Sequence, residues 1–308
     1  MSSKQIVPVL ALSCMLASCL AGEKSNPDFV VIPGATNATQ FRLYTNASPD
    51  SPRLFNTFDI EVKGESLLRS PGVDVLKRSL TTSSSNAWLH NILVDGEGPV
   101  LAATNSMTVI EQVSGADWNY IALDGTAAYR GRLETYKRGI LFVAPDIFVV
   151  FDHLVAKKPA TFQMVLHPPD ATQVDPGWRD LRLNSSKGGL VIHAPGIKSA
   201  PRTWERVESS VDQILAGTAT MQLDPTNKLS ALDLITVFAV HGPGEKKDFA
   251  FSRLVESDTA IGVRIHREGW PTLVAFKLDP SAPAASLTGF GFKGPVGVDV
   301  FQSKRLAR

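Results

Sequence analysis

Residues Tyr136 to Leu154 read Y-K-R-G-I-L-F-V-A-P-D-I-F-V-V-F-D-H-L. Gly139–Phe151 is apolar at nearly every position, the pattern of strands covered on both faces rather than on one. Pro145-Asp146 breaks the run with turn chemistry, so the stretch predicts two strands joined by a tight hairpin.

The rest of the chain repeats this grammar. Period-2 or continuous apolar runs occur at Phe29–Ile32, Gln40–Tyr44, Phe55–Val62, Val73–Leu80, Ile92–Val94, Thr108–Val113, Asn119–Leu123 and Thr161–Leu166. Later runs are Gly189–His193, Gly217–Leu223, Leu232–Val240, Phe249–Val255, Ile261–His266, Thr272–Leu278 and Val296–Phe301. Asp95-Gly96, Pro168-Pro169-Asp170 and Gly242-Pro243-Gly244 supply turns between them. Many short strands without alternating helices predict an all-β, antiparallel sandwich. The one passable helix is Thr203–Leu215, where Trp204, Val207, Val211 and Leu215 fall near a helical spacing. A break near Pro195–Pro201 divides two blocks of one large domain.

Composition agrees with an ordinary folded chain: 44% hydrophobic and 20% charged residues. Lys4 followed by the apolar run Ile6–Ala17 reads as a signal peptide, too short to span a bilayer. It ends in Leu16-Ala17-Ser18-Cys19, which resembles a bacterial lipobox, with a conventional cleavage near Ala21 as the alternative. The expected organisation is therefore a lipoprotein signal at 1–18, a tether at 19–28 and one domain at 29–308. Localisation is expected in the cell envelope, lipid-anchored at the outer membrane through Cys19, or periplasmic. Cys14 and Cys19 are the only cysteines, so the mature domain has no disulfide, thiol nucleophile or cysteine metal site. Loss of Lys4 leaves 30 basic side chains against 30 acidic ones, a balance that argues against nucleic acid as a partner.

A second stretch, Trp88–Gly98 (W-L-H-N-I-L-V-D-G-E-G), carries a resemblance together with the first. It is similar to the His-Asn-Thr-x-x-x-Asp-Gly segment of the heparinase II/III-like polysaccharide lyases, with Ile92 in place of Thr. Arg138, Asp146, Val150 and Asp152 match that family's Arg-x-x-x-x-x-x-x-Asp-x-x-x-Val-x-Asp block. The resemblance covers roughly Phe55 to His167 and implies a large supersandwich-like antiparallel β-sandwich with few or no helices. It also implies carbon–oxygen lysis, by β-elimination, of an acidic uronic-acid polysaccharide. Such chemistry needs a group that neutralises the sugar carboxylate, a base for the neighbouring proton and an acid for the leaving oxygen.

In the resembled family an N-terminal helical toroid supplies part of that machinery, and about ten residues between Cys19 and the first expected strand leave no place for one. A separately encoded toroid is therefore an expected partner. Phe55–Gly64 and Leu67-Leu68-Arg69-Ser70-Pro71-Gly72 resemble the family's upstream segment, but Ser70 replaces its Asp and Asp50–Leu54 holds no histidine. Of the ligands that bind zinc in some relatives only His90 remains, so no metal and no cofactor are expected.

His90 is the candidate catalytic residue, set against its reading as a strand-end histidine bonded to nearby backbone. Asp95-Gly96 reads as a hairpin turn rather than a catalytic acid. Tyr129, Arg130 and Arg138 are the candidate substrate-binding residues. With Trp118, Arg132, Tyr136 and Lys137 they would form a wall of rings and cations for sugars, against the reading that Tyr136 and Arg138 merely face outward from a strand. Asp152-His153 and His167 would line a polar cleft beside His90, or else cap strands at the solvent boundary. Lys157-Lys158 and Lys246-Lys247 read as solvated loops. Hydrolase, phosphate-loop and zincin signatures are absent. The competing function is a non-catalytic glycan-binding or accessory lipoprotein, and a third is a purely structural envelope protein.

Overall fold

A computed structural model describes residues 29–33, 39–44, 57–69, 91–99, 107–129, 131–166, 168–169, 173–176, 180–195, 202–207, 218–223, 227–245, 250–253, 257–267, 270–279, 282, 284–287, 290–293 and 298–302. With strands numbered in chain order, its centre is an eight-stranded antiparallel sheet. The sheet runs β11 (Gln173–Pro176), β12 (Asp180–Asn184), β13 (Gly189–His193), β16 (Leu229–His241), β9 (Ile147–Ala160), β8 (Leu133–Val143), β7 (Trp118–Asp124) and β6 (Thr108–Ser114).

The apolar hairpin β8–β9 lies in the middle and is covered on both faces, as its sequence requires. Ile140, Phe142, Phe148 and Val150 point into one core, and Leu141, Val143, Ile147, Val149 and Phe151 into another. The period of two in a strand sorts alternate residues to opposite sides, so a run without polar residues fits only an inner layer.

Two four-stranded sheets cover the first face. One is β1 (Phe29–Pro33), β2 (Thr39–Tyr44), β3 (Phe58–Val62) and β4 (Glu65–Leu68); the other, in spatial order, is β14 (Arg202–Val207), β15 (Thr218–Leu223), β10 (Phe162–Leu166) and β5 (Ile92–Val94). Phe41 stacks on Phe58 with ring centres 4.9 Å apart, and Phe58 meets Phe238 edge-on at 5.5 Å, joining the first of these sheets to the central one. The second face is covered by β17 (Ala250–Arg253), β18 (Ala260–Arg267), β19 (Trp270–Lys277) and β22 (Val298–Gln302). Ile261, Val263, Ile265, Val274, Phe276 and Val298 supply its apolar side. A small hairpin, β20 (Ala284–Leu287) and β21 (Phe290–Lys293), completes the described strands, and Ala285 and Leu287 pack on Ala260 and Ala275.

Several sequence expectations change. Residues 202–207, which overlap the expected helix Thr203–Leu215, are strand β14, paired along its length with β15; 208–215 lie outside the described residues. Thr, Trp and Val suit a pleated surface, and pairing outweighs a loose helical spacing. Strand β9 runs on to Ala160, so Asp152 and His153 sit inside a strand rather than at its end. Lys157 and Lys158 are exposed but belong to that strand, not to a loop. The expected strand at 73–80, the break at 196–201, the lysine pair at 246–247 and the whole of 1–28, Cys14 and Cys19 included, lie outside the described residues.

Candidate functional site

The segment after His90 is built around β5, three residues long. Ile92 and Val94 bury their side chains in the first core, and among the described residues β5 pairs on one side, with β10, placing Ile92 opposite Met164. Beyond it the chain reverses at Asp95-Gly96, with φ of 51° and 78°. Two consecutive left-handed residues make the tight hairpin turn for which Asp-Gly is suited. Val94 and Glu97 exchange backbone hydrogen bonds of 2.9 and 3.1 Å across it. The Asp95 carboxylate accepts from the backbone N–H of Thr161 at 2.9 Å and from its hydroxyl at 3.2 Å. Asp95 therefore secures the turn to the start of β10.

Beneath β5 lies a buried polar group. Arg138 on β8 stands opposite Asp152 on β9, and both are wholly buried. The Asp152 carboxylate accepts Arg138 Nε at 2.6 Å, Nη2 at 3.1 Å and the Tyr136 hydroxyl at 3.0 Å. Burial opposes the guanidinium charge, but the Asp152 carboxylate and the neighbouring Tyr136 and Tyr129 outweigh it, so Arg138 holds its proton above the ordinary arginine range. The guanidinium also lies 5.6 Å from the Tyr136 ring centre and 5.9 Å from that of Phe58. Tyr129 ends a short 3-10 turn, Thr126–Tyr129, and its buried hydroxyl donates to the Ile92 carbonyl at 2.7 Å.

The expected sugar-binding wall is thus not formed by Tyr129 and Arg138. Both are 0% exposed and bonded inside the core, so a glycan cannot stack on or pair with them. Tyr136 is buried beside them, and Trp118 packs on the opposite face of the central sheet. Arg132 is committed to Glu97 Oε2 at 2.8 Å and to the Gly98 carbonyl. Arg130 lies outside the described residues.

The polar cleft also comes apart. Neighbouring residues of a strand point to opposite faces, so Asp152 turns toward β5 while His153 turns away from it. His153 Nδ1 lies 2.7 Å from Asp233 Oδ1 on β16, near the Lys137–Asp279 ion pair of 3.2 Å. A second such pair, His193 Nδ1 and Asp180 Oδ1 at 2.8 Å, joins β13 to β12. His90 and His167 lie outside the described residues. Among the described residues no three His, Cys, Asp or Glu side chains converge as a metal site would require.

One residue that the sequence marked as part of the motif, without a site role, stands out. Asn91, next to His90 in sequence, is 0% exposed, and among the described residues neither its amide nitrogen nor its amide oxygen has a hydrogen-bond partner. Its backbone carbonyl is used, accepting Val165 N–H at 3.0 Å. A buried unpaired amide costs about 1–3 kcal/mol, and such groups gather where a ligand or reaction uses them. Asn91→Leu, of similar volume, should raise stability by about 1 kcal/mol or more in urea denaturation; a loss of stability would mean the amide is bonded in solution.

With this geometry the molecule can be compared with solved structures. The chain shares its fold with heparinase III lyases. Over 83% of its length it matches the heparan sulfate lyase HepC from Pedobacter heparinus, with a TM-score of 0.62 and 14% identity. Two heparinase III structures match at TM-scores of 0.61, with 15% and 11% identity. The matched part is 42–43% of those enzymes, so the chain spans less than half their length. At such identities the likeness establishes the fold alone. No family model and no curated protein matches the sequence.

Proposed function

We propose that this chain is the sandwich module of a carbon–oxygen lyase acting on an acidic, uronic-acid polysaccharide. The observation that carries the reading is the match of four-fifths of the chain to solved heparan sulfate and heparinase III lyases. The segment Asn91–Gly96 supports it, because next in sequence to His90 it holds a buried amide with no hydrogen-bond partner among the described residues.

In the proposed reaction a base removes the proton on the carbon next to the sugar carboxylate. The carbon–oxygen bond to the next sugar breaks, a double bond forms between the two carbons, and the departing oxygen takes up a proton. His90 is the candidate for one of these proton transfers, and a helical toroid partner would complete the site. The test is ultraviolet absorbance of unsaturated uronides after the chain, supplied with its toroid partner, is incubated with heparan sulfate, hyaluronan or alginate. We expect a rise with the wild type that is lost in His90→Ala. Retention on immobilised glycan with no rise on any polymer would replace this reading with that of an accessory binding module.

Export and lipid attachment at Cys19 belong to the same proposal, since an envelope protein would meet polysaccharide outside the cytoplasm. The motif Leu16-Ala17-Ser18-Cys19 supports it. Fatty-acid labelling in a bacterial host should be present in the full chain and absent in Cys19→Ser; equal labelling of both would refute the anchor.

A further inference from the structure

We propose that Tyr129 is a positioning residue, coupling the buried Arg138–Asp152 ion pair to the strand that follows His90 and Asn91. Among the described residues strand β5 is the edge of its sheet, with β10 as its one neighbour. Asn91 O and Asp95 N bond toward β10, through Val165 and Thr161. The alternate residues Ile92 and Val94 direct their backbone groups to the free edge. Val94 finds Glu97 across the turn. The Ile92 carbonyl is met by the Tyr129 hydroxyl at 2.7 Å, in a place shut off from water.

Tyr129 is in turn held by the ion pair. Its ring stands edge-on to Tyr136, centres 5.2 Å apart at 83°, and the Tyr136 hydroxyl donates to Asp152. The Arg132 guanidinium lies 5.9 Å from the centre of the Tyr129 ring and bonds Glu97 and the Gly98 carbonyl. Both ends of the Ile92–Gly98 segment therefore lead to one tyrosine, and the tyrosine to one ion pair. A three-residue edge strand has little pairing of its own to fix where Asn91 points; this chain of bonds supplies the rest.

The consequence for catalysis rests on the proposed lyase reading, whereas the positioning itself does not. Hydrogen exchange with mass spectrometry on the full chain reads the positioning. In Tyr129→Phe, amides of 91–98 should exchange about tenfold faster or more, because a buried carbonyl loses its donor, while those of 147–151 keep the wild-type rate. Tyr136→Phe, which keeps both rings and cuts the hydroxyl's link to Asp152, should accelerate the same segment to a smaller extent. It also serves as the test if Tyr129→Phe does not fold. On a polymer the wild type cleaves, Tyr129→Phe should lower kcat and leave KM near its wild-type value.

Wild-type exchange at 91–98 in Tyr129→Phe, or equal acceleration throughout the chain, would overturn the proposal. So would an unaffected segment in Tyr136→Phe, which would remove the coupling to the ion pair. Absence of cleavage by the wild type would count against the lyase reading and leave the exchange result standing.

Discussion

Arg138→Met should destabilise the protein by about 3–5 kcal/mol, the usual cost of leaving one member of a buried ion pair without its partner. Asp152 would keep the Tyr136 hydroxyl at 3.0 Å but lose both guanidinium bonds, in a position with no access to water. The double variant Arg138→Met/Asp152→Leu removes both charges, and it should recover most of that loss, because a buried pair is often replaceable by apolar side chains of similar volume. Urea denaturation of the two variants and the wild type measures this directly. A loss below about 1 kcal/mol in the single variant would mean that the pair is solvated rather than buried.

Phe58→Ala should cost a similar amount, about 3–5 kcal/mol, for a different reason. Phe58 is wholly buried, stacks on Phe41, meets Phe238 of the central sheet edge-on and lies under the Arg138 guanidinium. Truncation leaves a cavity between β3 and the central sheet, and β3 loses its edge-on contact with Phe238 of β16. Phe58→Leu should recover a good part of the loss by refilling the space. If thermal unfolding of Phe58→Ala shifted by no more than that of an exposed substitution, the contact between these two sheets would not be a core.

The sequence carried the architecture because the architecture follows from periodicity. Gly139–Phe151 has no polar face, and the central position of β8 and β9 follows from that. Asp95-Gly96 names its turn type through the conformations that dipeptide tolerates. Even the ion pair was within reach: with Val143 opposite Ile147 across the turn, counting five residues away from it on each strand brings Arg138 opposite Asp152.

What hid the ion pair was the habit of placing arginine outside. The run from Ile140 to Val143 places alternate residues in separate cores, and continuing that alternation back from Ile140 puts Arg138 and Tyr136 in the one beneath β5. The same alternation separates Asp152 from His153, which a reading by proximity in sequence had joined. Strand β9 outran its apolar stretch because Asp152 and His153 are each partnered, so their polarity does not end the strand. Asn91 was given no site role because an unsatisfied amide is a property of its surroundings, and the sequence alone does not display them. His90 and Arg130, chosen from motif and chemistry, fall outside the described residues, so their part in the site rests on function rather than geometry.

Digestion of a uronic-acid polysaccharide in heavy-oxygen water, by the chain together with its toroid partner, tests the central claim most directly. Elimination divides the chain without adding water, so the account predicts unsaturated fragments that carry no label, formed by the wild type and not by His90→Ala. Polymer left intact by the wild type, or fragments that have gained labelled oxygen through hydrolysis, would contradict it.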